Sequence, residues 1–101
     1  MPQYFLHYVC HKDHETKVLH ITNEAHLRRE LINEINLFQY EDDQDSDIKF
    51  VPDPAYLTTT QLMHNAVHWG RIHAGYSHNW FNVVHIIAID DNGKVTLYGA
   101  V

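Results

Sequence analysis

A chain of 101 residues and 11.9 kDa has the length of one domain, residues 1–101, whose single hydrophobic core is marginal at this size. It is 45% hydrophobic and 20% charged, an ordinary globular composition, but its ten histidines outnumber the seven Lys plus Arg. Thirteen Asp plus Glu leave a net charge of -6 with the histidines neutral; this excludes a basic phosphate-gripping face at neutral pH, while protonating all ten histidines would reverse the sign.

The N-terminal stretch has no positively charged start and no long apolar run, so it does not read as a secretory signal. The longest apolar run, residues 83–89, is of strand length and far short of the roughly 20 residues a membrane helix needs. One cysteine, Cys10, cannot form an internal disulfide. These features together place the chain, as an expectation, in the cytoplasm.

Residues 4–10 and 17–22 read as two strands, rich in aromatic and β-branched residues, with the polar turn Lys12-Asp13-His14-Glu15 between them. A turn centred on Asp13-His14 sets Leu6 opposite Ile21, Tyr8 opposite Leu19, and His7 opposite His20. Alternation then gives a core face of Leu6, Tyr8, Leu19 and Ile21. The second face, Phe5, His7, Val9, Val18 and His20, is apolar with a histidine pair across it.

A helix follows over about 24–38, because Leu27, Leu31, Ile35 and Phe38 recur as one stripe. Thr22 or Asn23 caps its start, and Glu24 with Arg28 forms an i, i+4 pair. Next comes a dense acidic run of Glu41, Asp42, Asp43, Asp45 and Asp47, read as a solvated loop. Asp43, Asp45 and Asp47 have the first three spacings of a calcium loop, but Ile48 and Pro54 stand where glycine and glutamate are required. Residues 48–51 suggest a short edge strand before Pro52.

The second helix begins at a capping box, Thr58 with Gln61, flanked by Leu57 and Leu62 as a staple. Leu62, Ala66, Trp69 and His73 line its apolar face, and Gly75 suits its end. Residues 80–89 and 95–101 form a hairpin around Asp91-Asn92-Gly93-Lys94, where Asn-Gly supplies the positive φ of a tight turn. The order β-β-α-(β)-α-β-β predicts an α+β fold, a two-layer sandwich in which one antiparallel sheet from two β-hairpins packs against two α-helices.

No sequence motif names a reaction. Glycine-rich phosphate loops, a dinucleotide fingerprint and a serine elbow are missing from a chain with four glycines. His64 and His68, at i and i+4, have the spacing of two helix-borne metal ligands, with His78 or His85 as a third. The pair lacks the glutamate of zinc hydrolases, Arg71 lies beside it, and Gln61, His64, His68 and Arg71 also make a plain polar outer face. Across the first hairpin, His7 and His20 could act as acid and base on a phosphodiester, but cations to hold the phosphate are few. Cys10, His11 and His14 crowd one turn without the four ligands of a structural zinc site.

The leading expectation is therefore a small, acidic, non-enzymatic protein-binding module, needing no cofactor and touching neither nucleic acid nor membrane directly. In its concrete form it is an inhibitor, of the kind phages and mobile elements encode, occupying the basic surface of a nucleic-acid-handling protein. Its contact residues would be Glu41, Asp42, Asp43, Asp45 and Asp47 with aromatic anchors Tyr56 and Trp80; Tyr98 is a further exposed aromatic candidate. The alternative is a protein or small enzyme that binds zinc or another transition metal through His64, His68 and His78. A homodimer through a strand edge or the apolar second face is compatible with either.

Overall fold

The computed structural model describes residues 1–10, 12–45, 53–73 and 81–99, except for the side chains of 38–45 and 73. Its elements are β1 (Gln3–Cys10), β2 (Glu15–Ile21), α1 (Glu24–Asp45), a short 3-10 turn (Pro54–Tyr56), α2 (Thr59–His73), β3 (Asn82–Ile89) and β4 (Val95–Tyr98). The two hairpins share one antiparallel sheet in the order β2-β1-β3-β4, and both helices pack on one side of it. This is the α+β sandwich that the hydrophobic periods predict. The expected strand over 48–51 and the stop at Gly75 lie outside the described residues.

The first hairpin is closed one step earlier than expected. Leu6 faces Leu19, Phe5 faces His20 and His7 faces Val18, so the predicted His7–His20 pair does not form. The shift is two residues, and because strand side chains alternate with period two, every residue keeps its face. Leu6, Tyr8 and Ile21 are buried as expected, with Leu19 packed against them. His14, at φ 57°, takes the left-handed position that lets the turn close.

Helix α1 is capped by Asn23, whose Oδ1 accepts from the His26 amide at 3.0 Å. It buries Leu27, Leu31 and Ile35. It runs on to Asp45, so Glu41, Asp42, Asp43 and Asp45 are helical and the expected acidic loop is corrected over those positions. The physical reason is the lack of a breaker: no Gly or Pro stands between Glu24 and Asp45, and propagation costs little once a helix is nucleated.

Helix α2 starts as its capping box requires. The Thr58 amide donates to Gln61 Oε1 at 2.9 Å, and the Gln61 amide donates back to Thr58 Oγ1 at 3.1 Å. Its inner face, Leu62, Met63, Ala66 and Val67, completes the core. The helices are tied at this end: Arg28 donates to the Leu57 carbonyl at 2.8 Å and to Thr59 Oγ1 at 3.1 Å, and Thr59 Oγ1 donates to Glu24 Oε1 at 2.7 Å. Glu24 and Arg28 thus both engage Thr59.

Gly70 is where α2 meets β3. A Cβ there would land on the Val83 carbonyl oxygen and lie 2.9 Å from its carbon. Opposite this contact β3 carries a bulge: His7 pairs with His85 but Tyr8 with Val83, leaving Val84 as the extra residue. In the β3–β4 turn, Asp90 Oδ1 accepts from the Asn92 and Lys94 amides and Gly93 takes φ 82°. Tyr98 is buried beside its cross-strand partner Ile86, contrary to its expected exposure, because the final strand points it toward α2, where it meets His64.

Candidate functional site

Among the described residues, helices cover one face of the sheet and leave the other open. The other presents Gln3, Phe5 and His7 from β1, Val18 and His20 from β2, His85, Ile87 and Ile89 from β3, and Val95 and Leu97 from β4. None of these ten carries a formal charge, in a chain where 20% of residues do. Val18, Ile87, Val95 and Leu97 are exposed large hydrophobics, with Val18 64% and Val95 60% accessible. A depression of about 400 Å³ in this face is walled by Phe5, His7, Val18, His85, Ile87 and Leu97.

The histidines of this face are held in fixed partnerships. His20 lies flat on Phe5, with ring centroids 4.5 Å apart and planes 1° from parallel, and its Nε2 donates to Gln3 Oε1 at 3.1 Å. His7 and His85 are cross-strand neighbours whose Nδ1 atoms stand 3.4 Å apart. Their centroids are 5.6 Å apart and their planes differ by 11°. That centroid separation permits the short nitrogen distance only if each Nδ1 lies on the line joining the rings, so the imidazoles meet edge to edge. One proton between the two nitrogens satisfies both.

A second proton would put two positive charges against each other. Partial burial, the facing His7 and the nearby charge of Arg71 all hold the His85 pKa below the ordinary histidine value. A histidine that is depressed on folding contributes stability above the ordinary value, and that contribution is lost as pH falls through the folded one. We expect ring-nitrogen NMR titration to show His85 protonating below an exposed histidine. In His7→Leu its midpoint should rise toward that of an exposed histidine. An unchanged midpoint would show that the pair does not interact.

The sequence-derived metal ligands fall elsewhere. His64 and His68 are both exposed on α2 and border a shallow groove of about 420 Å³ with Arg71 and Gly99. His64 meets the edge of Tyr98 at 4.8 Å, His68 meets Trp69 at 5.1 Å, and Arg71 donates to the Gly99 carbonyl. No group of three or more potential metal ligands occurs among the described residues, and His78 lies outside them. Of the expected contact residues, Tyr56 is 85% exposed at the base of α2, while Asp47 and Trp80 lie outside the described residues. Glu41, Asp42, Asp43 and Asp45 occupy the C-terminal part of α1.

A second polar constellation lies beneath the sheet. Tyr8 and Glu34 are buried, and neither the Tyr8 hydroxyl nor Glu34 Oε2 has a hydrogen-bond partner among the described residues. Burial raises the Glu34 pKa to about 7, with Glu30 adding to the rise and Lys17 opposing it. The Tyr8 hydroxyl is likewise pushed upward by burial and by Glu34. The sequence carried a signal for Glu34: it sits three residues after Leu31 and directly before Ile35, on the margin of the apolar stripe.

The class these features define is an antiparallel α+β sandwich, one sheet face of which carries no formal charge and is covered by no helix among the described residues. No family model, curated protein or solved structure matches the chain. Among the described residues no helix is long and apolar enough to cross a membrane.

Proposed function

We propose that the protein is a non-catalytic protein-binding module whose docking surface is the open sheet face, and whose partner presents an apolar patch framed by basic residues. The observation that carries this reading is the ten-residue face without a formal charge on a chain of net charge -6. Contiguous exposed apolar surface of this kind marks interaction sites. Strands spaced ~4.8 Å apart and rising ~3.3 Å per residue give a four-stranded face of about 400 Å² in projection, about half of the roughly 800 Å² per partner of a standard interface, so the acidic rim must supply the rest of the contact. The acidity of the rest of the chain, including Glu41, Asp42, Asp43 and Asp45, favours a basic partner by speeding encounter. Inhibition of a nucleic-acid-handling protein is the specific version, since such proteins carry suitable basic surfaces.

The test is a photo-crosslinker placed at Leu97, on the open face, and at Thr60, on the exposed side of α2. We expect Leu97 alone to capture one basic protein, and Ile87→Glu to remove the product while leaving thermal unfolding within a few degrees of the parent. Charge reversal at Asp42, Asp43 and Asp45 should slow association about tenfold at low salt, and titration from neutral toward about pH 5 should weaken binding. A product at twice the chain mass would replace this reading with a homodimer. For the inhibitor version, nucleic acid should compete with this protein for the captured partner.

A further inference from the structure

We propose that the cleft between α1 and the β1–β2 side of the sheet binds a primary alkylammonium, its charged head held against the Tyr8 and Phe81 rings by the carboxylates of Glu34 and Glu30. The cleft has a volume of about 430 Å³ and is lined by Tyr8, Lys17, Leu19, Glu30, Glu34, Leu37 and Phe81. It opens on the side of the sheet opposite the docking face, so this site stands or falls independently of that reading.

Three observations converge on a cation. The first is the Lys17 ammonium, whose Nζ lies 4.9 Å from the Tyr8 centroid and 4.8 Å from that of Phe81. Two aromatic faces meeting one alkylammonium is the arrangement by which proteins recognise such groups. The chain's own lysine therefore occupies the head position as a tethered stand-in. Lys17 stands opposite Tyr8 on the neighbouring strand and is exposed as a residue, so its flexible stem can carry the charge out to solvent and vacate the rings.

The second observation is the pair of unpartnered buried atoms. Glu34 is 9% exposed and Tyr8 3%, and Glu34 Oε2 and the Tyr8 hydroxyl find no hydrogen bond among the described residues. Leaving such groups unmatched is costly, and a primary ammonium brings the donors that a carboxylate and a phenol oxygen need. A quaternary ammonium brings charge without donors and would leave both atoms unsatisfied. The third observation is the sign and shape of the walls. Glu30 and Glu34, one turn apart on α1, disfavour an anion, while Leu19 and Leu37 provide apolar surface for a hydrocarbon chain.

The groups facing Glu34 are Tyr8 from β1, Lys17 from β2 and Glu30 from its own helix. Because an ammonium pairs with the ionised carboxylate, binding should tighten as Glu34 loses its proton.

The experiment is an amide and aromatic NMR titration of the full chain with 1,5-diaminopentane, with a lysine blocked at both backbone ends, with tetramethylammonium and with 1-pentanol. The expected result is saturable shifts at Tyr8, Glu34 and Phe81 from the diamine or the blocked lysine, at concentrations up to about 10 mM. A tighter diamine identifies a free amine as the ligand, and a tighter blocked lysine identifies a partner's lysine side chain. Lys17→Met should raise the affinity about tenfold by removing the competing charge, and Glu34→Gln should lower it about tenfold. Binding should also be stronger at about pH 8 than at about pH 6. Absence of saturable shifts in both the parent chain and Lys17→Met would overturn the proposal. So would equal affinity for 1-pentanol, or Lys17→Met binding that is indifferent to Glu34→Gln.

Discussion

Gly70→Ala is expected to cost this protein most of its stability. A methyl group at Gly70 would collide with the backbone of Val83, an oxygen and a carbon that belong to a bulged strand in the middle of the sheet. Neither partner is the free end of a side chain, so relief requires moving α2 away from β3 and opening the contacts of Ala66 and Val67 behind it. Overpacking against backbone belongs with the few mechanisms that exceed about 4 kcal/mol, while a domain of this size has a total stability of about 5–10 kcal/mol. Urea unfolding followed by circular dichroism should show the midpoint collapsing toward zero denaturant. Gly93→Ala is the control: its φ is 82° but nothing lies within 4 Å, so it should cost only about 1–2 kcal/mol of backbone strain. Equal costs for the two substitutions would mean that the close approach at Gly70 is not real.

The second large effect is the pH dependence contributed by Glu34. Its pKa rises from 4.5 to about 7 on folding, principally because burial penalises the charged form. Below 4.5 the carboxyl is protonated in both states and the shift contributes nothing. Between 4.5 and about 7 the unfolded chain releases this proton and the folded chain keeps it. Stability therefore falls as pH rises through that window, by about 3 kcal/mol in total. Glu34→Gln removes the ionisation, so the variant should match the parent near pH 4 and exceed it by about 3 kcal/mol near pH 8. Denaturant midpoints across that range check the difference directly, and parallel curves for parent and variant would refute the buried carboxyl. The subtraction also separates this contribution from that of His85, which has the opposite slope.

The elements were legible because their signals are local. The Leu27, Leu31, Ile35 stripe, the Thr58–Gln61 box and the Asn92-Gly93 turn each involve residues within a turn or two of one another, and each appears where its spacing puts it. Face assignment survived the misplaced hairpin register because alternation is insensitive to a shift of two. The extension of α1 through Asp45 was missed because a run of aspartates has weak helix propensity, and continuity from the preceding turns outweighed it. The histidine pairing was missed because an imidazole's partner depends on which strands are neighbours. Only the order β2-β1-β3-β4 sets His85, seventy-eight positions away, against His7.

The same division runs through the whole molecule. The sequence by itself determined the four strands, the two amphipathic helices, the apolar character of Phe5, Val18 and Ile87, and the acidity that sets the protein's charge. Those properties are carried by periodicity and composition, which no packing arrangement alters. The tertiary structure decided which strands are neighbours, that His7 faces His85, and that Tyr8, Lys17, Glu34 and Phe81 line one cleft. Those facts depend on contacts between segments far apart in the chain, and such contacts exist only after α1, α2 and both hairpins have closed on one core.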